Sequence, residues 1–258
     1  MGRRDDAPEV DEVRRKHDRG TTRPPDMVGR LPLRQDGGAD LARHRGRLAT
    51  ILGLCACVMM LFCDSSRAAE RTLRLVALGD SLTAGYGVPA GAAFPGVLER
   101  ALKEKGFDVA ITNAGVSGDT ATGGRDRVDW SVPEGTDGVI LELGANDMLR
   151  GTDPAVTEAA LDGIITRLKD RGIAVMLTGM KAARNLGPDY VARFEAIYPR
   201  LAERHGLVLY PFFLDGVATD RSLALPDGLH PNAKGVERIV AGILPAVETF
   251  LARLRKAP

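Results

Sequence analysis

Residues 73–87 read LRLVALGDSLTAGYG, and this stretch decides how the folded part of the chain is organised. Its first six residues are largely apolar and predict a short strand that is buried on both faces. Gly79, Gly85 and Gly87 loosen the segment that follows, so we expect the strand to pass through a tight turn. Ser81 stands in this turn. Taken alone, such a serine is more often a turn residue or helix cap than a nucleophile.

The alternation of strand and helix continues to the end of the chain. Five short runs rich in Val, Ile and Leu predict strands: Leu73–Leu78, Val109–Thr112, Gly138–Leu143, Ile173–Thr178 and Leu207–Tyr210. Strands that alternate with amphipathic helices predict an α/β domain, a three-layer α/β/α sandwich with a five-stranded parallel sheet and right-handed crossovers. Ligands of such sheets bind beyond the carboxyl ends of the strands, so functional residues should follow strands.

Helix boundaries are marked by polar caps, glycines and prolines. Asp153 and Pro154 predict a helix start, with a buried stripe at Val156, Leu161, Ile164, Ile165 and Leu168. The last helix should begin near Asn232. Pro199 and Pro245 fall within helical patterns and are expected to kink or split them.

The N-terminal part has a different composition from the rest. Residues 1–47 are rich in Arg and Asp and predict a disordered extension, or a mis-assigned start with Met27 as the true one. A basic flank, RHRGR at residues 43–47, precedes an apolar run of about 15 residues and then small residues, and this pattern predicts a secretory signal over residues 48–69, cleaved after Ala68 or Ala69. A membrane span needs roughly 20 residues, and an uncleaved anchor is the alternative. We therefore expect a folded domain over residues 70–258, located in the periplasm or secreted.

Composition excludes several kinds of chemistry. The 258 residues include 35 Lys+Arg and 34 Asp+Glu, a balance that gives no reason to expect a nucleic-acid partner. Cys55, Cys57 and Cys63 all fall in the predicted signal, so the mature domain lacks thiols for disulfides, nucleophiles or metal ligands. Only His205 and His230 lie in the folded part. We expect no metal and no cofactor.

Four polar stretches follow predicted strands and should meet at one rim of the sheet. They are LGDSLTAGYG at 78–87, NAGVSGDT at 113–120, LGANDMLRG at 143–151 and DGLHPN at 227–232. Together they supply a serine, a glycine amide, an asparagine amide and an Asp-x-x-His pair. A hydroxyl needs a base to become a nucleophile, the base needs a carboxylate to orient it, and the oxyanion needs N–H donors. The stretches therefore point to acyl transfer.

These four blocks resemble the signature blocks of the GDSL, or SGNH, hydrolases, and are most similar to the bacterial thioesterase I/lysophospholipase/arylesterase group. The resemblance covers the chain from about residue 72 and implies the flavodoxin-like SGNH hydrolase fold. It implies that Ser81 is the nucleophile and, through its N–H, an oxyanion donor. Gly115 and the Asn146 side chain match the other two donors, His230 the base and Asp227 its orienting carboxylate.

The same resemblance assigns two further features. Asp80 matches an acidic position beside the nucleophile that is usually structural. Residues 147–151 look like the mobile substrate loop of the group, and its members here are Asp147, Met148, Leu149 and Arg150.

Other residues compete for these roles. Ser117 lies in a glycine turn, where hydroxyls ordinarily bond to the backbone. His205 ends a helix and is expected to pair with its free carbonyls, which leaves His230 as the candidate base. Glu142 lies within an apolar strand; we expect a structural partner and assign it no function.

The predicted activity is hydrolysis of carboxylic esters through an acyl-enzyme. An exported enzyme meets little acyl-CoA, so lysophospholipids, short acyl esters and aryl esters are the expected small-molecule substrates. The membrane would serve only as a source of substrate, or through an uncleaved anchor. One alternative is a polysaccharide O-acetyl esterase, although Trp130 and four tyrosines offer few platforms for sugars. Another is a non-catalytic lipid-binding module on the same fold.

Overall fold

A computed structural model of the chain describes residues 71–256. The predicted extension and signal at residues 1–69 lie outside the described residues and stay predictions. Within residues 71–256, no helix combines the length and apolar character that a membrane crossing requires.

All five predicted strands are present and form one parallel sheet. They are β1 (Leu73–Gly79), β2 (Val109–Gly115), β3 (Gly138–Glu142), β4 (Ala174–Thr178) and β5 (Val208–Tyr210). Their order across the sheet is β2-β1-β3-β4-β5. The chain moves from β1 to one side and then returns past it to β3. This reversal places a switch point, and therefore a crevice, at the carboxyl ends of β1 and β3.

The described residues contain eight α-helices, which cover the two faces of the sheet. They are α1 (Ser81–Ala84), α2 (Phe94–Glu104), α3 (Ala121–Ser131), α4 (Ala145–Leu149), α5 (Pro154–Asp170), α6 (Pro188–Glu195), α7 (Ile197–His205) and α8 (Ala233–Leu254). Helix α2 packs on α8, while α5 packs on both α3 and α7. Right-handed crossovers on either side of the switch point produce these two groups. The predicted three-layer α/β/α fold is confirmed.

Helix α5 starts as predicted but buries a different stripe at its beginning. The Asp153 carboxylate accepts a hydrogen bond from the Ala155 N–H at 2.9 Å, and Pro154 takes the first helical position. Val156 is 50% exposed, so its predicted burial is wrong. The inward position is the next residue, Thr157, whose hydroxyl donates to the Asp147 carboxylate at 3.1 Å. Because the inward residue Thr157 is polar, the pattern of apolar residues did not indicate which face of the first turn is buried.

The two internal prolines have different effects. Pro199 lies in the first turn of α7, where its missing N–H has no helical partner to lose, and the helical pattern is split just before it, between Glu195 and Ile197. Pro245 lies inside α8, which continues as one helix from Ala233 to Leu254. The long buried face of α8 offsets the single hydrogen bond that this proline removes.

Candidate active site

Ser81 lies at the first position of α1, directly after β1. Asp80 caps this helix, because its Oδ1 accepts a hydrogen bond from the Leu82 N–H at 2.9 Å. Gly79 has no room for a side chain, since a Cβ there would overlap the Thr83 hydroxyl and the Glu142 carbonyl. The tight turn leaves the N–H of Ser81 at a helix N-terminus, where backbone donors have no partner within the helix.

Ser81, His230 and Asp227 form a continuous chain of hydrogen bonds. His230 Nε2 is 2.9 Å from Ser81 Oγ, and His230 Nδ1 is 2.7 Å from Asp227 Oδ2. The other carboxylate oxygen, Oδ1, accepts the N–H groups of His230 at 3.0 Å and Leu229 at 2.9 Å. The Nδ1 proton therefore belongs to the bond with Asp227, and the Nε2 lone pair faces the serine hydroxyl.

The environment of Asp227 keeps it ionised. Hydrogen bonds from the His230 N–H, the Leu229 N–H and the His230 ring lower the pKa of Asp227 to about 2. This carboxylate is therefore charged throughout the neutral range and stabilises a positive charge on the ring. Tyr86, which the sequence analysis missed, packs against the same ring with 4.5 Å between ring centroids.

Asn146 follows β3 at the start of α4, after Gly144 with a φ of 117°. Its Nδ2 donates to Asp80 Oδ2 at 3.0 Å and to the Asp119 carbonyl at 2.9 Å. The reversed amide would set its oxygen against these two acceptors, which fixes the orientation. Both amide hydrogens thus have partners at rest, and donation to an oxyanion requires that one of them be exchanged or shared.

Gly115 does not fit the predicted role of second oxyanion donor. Its N–H donates to Asn113 Oδ1 at 2.9 Å, and it pairs with Gly79 across the sheet. A Cβ at this position would overlap the backbone of Ala84, so the glycine is required by the packing of β2 against α1. This part of the site prediction needs correction because the N–H is already used.

Gly118 is the better candidate in the same block. Its φ is 82°, and within residues 71–256 its N–H donates no hydrogen bond. The next residue, Asp119, contributes the carbonyl that binds Asn146. Sequence reasoning missed Gly118 because the block NAGVSGDT holds two glycines, and the only local signal was the Ser-Gly-Asp turn.

A buried arginine ties this loop to the nucleophile turn. Arg127 Nε donates to Asp119 Oδ2 at 2.6 Å. Its two terminal nitrogens donate to the carbonyls of Ala114 and Gly79, each at 2.9 Å. Arg127 therefore joins the ends of β1 and β2 to the loop that carries Gly118. The sequence analysis assigned it no role.

The predicted substrate loop is a short helix, α4, followed by a turn. Met148 and Leu149 line a cavity beside the serine. Asp147 is fully buried, and its carboxylate accepts the Ala121 N–H at 2.8 Å, so its side chain ties α4 to α3. Arg150 donates to the Gly118 carbonyl at 2.7 Å. Two of the four predicted loop side chains therefore face the cavity.

The cavity beside Ser81 and His230 has a volume of about 790 Å³. Its walls are mainly apolar and include Leu82, Met148, Leu149, Met180, Phe212 and Leu214. Two long basic side chains, Lys181 and Arg184, are among its lining residues. A cavity of this size and polarity suits a small organic ligand with an apolar chain.

The competing residues lie in other settings. His205 Nε2 is 2.6 Å from Asp162 Oδ1, and it ends α7 just before β5 begins. It is therefore at the amino end of the sheet, opposite the rim that carries Ser81. Within residues 71–256, no cluster of three or more His, Cys, Asp or Glu side chains is arranged to hold a metal ion.

A serine hydroxyl bonded to a carboxylate-backed imidazole, at the switch point of a parallel sheet and beside an apolar cavity, defines a serine hydrolase of acyl compounds. Known proteins agree. Residues 77–238 match the family model described as "GDSL-like Lipase/Acylhydrolase family". The chain is 41% identical over 175 residues to an arylesterase of Vibrio mimicus, which covers 67% of this chain and 88% of the relative. It is 32% identical over 204 residues to esterase TesA of Pseudomonas aeruginosa, covering 79% of this chain and 99% of the relative.

Solved structures give the same result. The crystal structure of AlinE4, an SGNH-hydrolase family esterase, matches with 43% identity and a TM-score of 0.60, covering 71% of this chain and 99% of that one. The chain therefore belongs to the GDSL-like lipase/acylhydrolase family. It is a serine esterase, a hydrolase that acts on ester bonds.

Proposed function

We propose that Ser81 is the nucleophile of this esterase, with His230 as general base and Asp227 as the carboxylate that orients it. The observation that carries the proposal is the continuous contact from Ser81 Oγ to His230 Nε2 at 2.9 Å and from His230 Nδ1 to Asp227 Oδ2 at 2.7 Å. This arrangement supplies a base with the correct tautomer and a fixed direction.

The reaction proceeds in two halves. Ser81 Oγ attacks the ester carbonyl while His230 Nε2 takes its proton, and Asp227 stabilises the imidazolium. The tetrahedral intermediate collapses, and His230 returns the proton to the leaving alcohol. A water molecule then gives a proton to His230 and attacks the acyl-enzyme, which releases the acid and restores Ser81. Each proton passes through His230, so the cycle requires no metal ion or cofactor.

The oxyanion of both intermediates is assigned to three donors. They are the N–H of Ser81, the N–H of Gly118 in place of Gly115, and the side-chain amide of Asn146. Two observations support this set: the N–H of Gly118 has no acceptor in the described part of the chain, and the carbonyl of its neighbour Asp119 contacts Asn146. Loss of one such donor typically lowers the rate by about 10²–10³.

We place the substrate among single-chain esters: aryl esters, short acyl esters and lysophospholipids. The apolar walls of the cavity suit an acyl chain. Lys181, whose Nζ lies 4.8 Å from the centroid of the Phe212 ring, and Arg184 can attract an anionic head group. The relatives include a protein named thioesterase 1/protease 1/lysophospholipase L1 in Escherichia coli, 37% identical over 159 residues and covering 75% of that relative.

Two alternatives make different predictions. A polysaccharide O-acetyl esterase would present aromatic platforms, but Trp130 is 75% exposed on α3 and does not line the cavity. A panel of p-nitrophenyl esters of rising chain length, a lysophospholipid and an acetylated glycan separates the substrate classes. A non-catalytic lipid-binding module would not react with a fluorophosphonate, whereas an activated Ser81 would be labelled.

Ser81→Ala and His230→Ala test the assignment directly. Each should lower ester turnover by about 10⁴ or more, because members of such a triad act as a unit. Circular dichroism and thermal unfolding check that the variants fold. Wild-type turnover in either variant would remove the proposal.

We also propose that the enzyme is exported to the periplasm or secreted, on the basis of the signal pattern at residues 48–69. Expression of the full chain in a Gram-negative host, followed by fractionation and N-terminal sequencing, should give a mature form that begins at Ala69 or Glu70. A cytosolic product with residues 48–69 intact would contradict export, and a membrane-bound uncleaved product would favour the anchor.

A further inference from the structure

Glu142 is a fully buried carboxyl group under the nucleophile turn. It ends β3, and its Oε2 accepts hydrogen bonds from the Thr83 hydroxyl at 2.8 Å and the Asp80 N–H at 3.3 Å. Its second oxygen, Oε1, is buried and accepts no hydrogen bond from any group in residues 71–256. A buried carboxylate with an unsatisfied oxygen is costly, whereas a neutral acid can use that oxygen as a donor.

The Asp80 carboxyl group is the acceptor within reach of this acid. The Asp80 N–H already donates to the Glu142 carboxyl group at 3.3 Å, and each of the two carboxyl groups shifts the pKa of the other. Asp80 is itself fully buried, and its remaining contacts are to the Leu82 N–H and to Asn146 Nδ2. A hydrogen bond from a protonated Glu142 to Asp80 would therefore connect Glu142 through Asp80 to the Asn146 amide.

This line ends at a group that the reaction needs. Both hydrogens of Asn146 Nδ2 have acceptors at rest, Asp80 Oδ2 and the Asp119 carbonyl. A developing oxyanion must compete with one of them. A full negative charge on Asp80 would hold the amide hydrogen strongly and would also repel the oxyanion. A hydrogen bond donated to Asp80 reduces both effects.

We propose that Glu142 is a positioning residue for the oxyanion site. Its carboxylic O–H donates a hydrogen bond to the Asp80 carboxylate. This bond fixes the position of that carboxylate and weakens its hydrogen bond with the Asn146 amide. This inference rests on the proposed role of Asn146 as an oxyanion donor. Asn146 is held in place before substrate binds. As the intermediate forms, one of its amide N–H groups exchanges its acceptor, from Asp80 to the oxyanion.

The titration behaviour of the pair agrees with this arrangement. Burial, and then the nearby Asp80, raise the pKa of Glu142 well above its usual value. Burial also raises the pKa of Asp80, to about 6, although the hydrogen bonds from Leu82 and its other neighbours oppose this. Both shifts are upward, which agrees with a proton being retained between the two carboxyl groups.

The experiment compares Glu142→Gln with Glu142→Leu, each in the wild-type and the Asn146→Ala background. Glutamine keeps a donor toward Asp80 and an acceptor for Thr83, whereas leucine keeps only the volume. Thr83→Val is the matched control, since it removes a hydrogen bond to the same carboxyl group that does not lead to Asn146. For each variant, kcat and KM for a p-nitrophenyl ester and the Ki of an alkyl trifluoromethyl ketone are measured. This inhibitor forms a tetrahedral adduct with the serine.

Glu142→Leu should lower kcat by about tenfold to a hundredfold, which is less than the 10²–10³ expected for loss of a whole oxyanion donor. The Ki of the ketone should rise by a similar factor, and KM should change little. Glu142→Gln should stay within about threefold of the wild type, and Thr83→Val likewise. In the Asn146→Ala background, Glu142→Leu should have little further effect, because the two residues act in series.

Equal losses from Glu142→Leu in both backgrounds would overturn the inference, as would a Glu142→Gln variant as impaired as Glu142→Leu. Should the leucine variant fail to fold, the difference infrared spectrum of wild type minus Glu142→Gln at neutral pH tests whether Glu142 carries a proton. It must show a protonated-carboxyl band, and its absence overturns the inference. Wild-type kcat in Asn146→Ala would instead reject the proposed oxyanion role itself.

Discussion

Asp227→Asn is the most informative single change in the catalytic chain. Asp227 Oδ1 accepts two backbone N–H groups, from Leu229 and His230, and Oδ2 faces His230 Nδ1. An asparagine must direct its oxygen to the two N–H groups, because its NH₂ group cannot accept them. Its NH₂ group then faces Nδ1. The ring is forced into the tautomer that carries its proton on Nε2, pointing at Ser81.

A ring in this tautomer cannot take the serine proton. The corresponding substitution in a serine protease triad lowers kcat by about 10⁴, and we expect the same order here. That factor equals about 5.4 kcal/mol of transition-state stabilisation. Geometry should be kept, since both backbone hydrogen bonds to residue 227 survive.

The assay is kcat for p-nitrophenyl ester hydrolysis near neutral pH, with thermal unfolding as a check on folding. Asp220→Asn is the control: Asp220 Oδ1 also accepts a nearby N–H, from Ser222 at 2.9 Å, but contacts no histidine. It should stay within about twofold, because Asp220 is exposed and its carboxylate is bonded to Ser222 rather than to the histidine. A folded Asp227→Asn enzyme within tenfold of the wild type would refute the tautomer argument.

Three further outcomes are expected. Gly118→Ala should fold, with a free energy of unfolding lower by roughly 1–2 kcal/mol because an alanine is strained at a φ of 82°, and its kcat should fall. Gly115→Ala should fail to fold, because its Cβ would overlap the backbone of Ala84. The reverse pattern in urea unfolding and turnover would restore Gly115 as the donor. Arg127→Leu should lower the free energy of unfolding by about 3–5 kcal/mol, since it leaves the largely buried carboxylate of Asp119 unpaired, and a loss below 1 kcal/mol in denaturant titration would contradict the role of Arg127 in joining β1 and β2 to the Gly118 loop. Replacing Lys181 and Arg184 together by methionine should lower kcat/KM for an anionic lysophospholipid by about twofold to fivefold relative to a neutral ester, in line with exposed charge pairs; an unchanged ratio excludes head-group attraction.

Much of the site was accessible from sequence because its parts are local. Ser81 follows a strand, and Asp227 and His230 are three residues apart, close enough for a carboxylate to fold back on the ring. The choice between Gly115 and Gly118 was not accessible. It depends on the register of β2, which pairs Gly115 with Gly79 and presses it against Ala84.

The orientation of charged side chains was equally hidden. Asp147 lies in the block that predicted a substrate loop, yet its carboxylate is turned inward to cap α3. Glu142 was expected to have a structural partner that the sequence did not identify, and Arg127 was given no role. Asp80 lies 62 residues from Glu142, and Gly79, the most distant acceptor of Arg127, lies 48 residues from it. No local pattern marks such a pair.

By itself, the sequence determined the order of strands and helices, the parallel three-layer architecture and the family, because hydrophobic period and short motifs are properties of neighbouring residues. Only the tertiary structure decided which backbone N–H groups stay free, how the carboxyl groups beneath Ser81 share their contacts, and where the apolar cavity opens. These features depend on whether each buried polar group meets a partner from a distant segment, and that is settled when the segments pack.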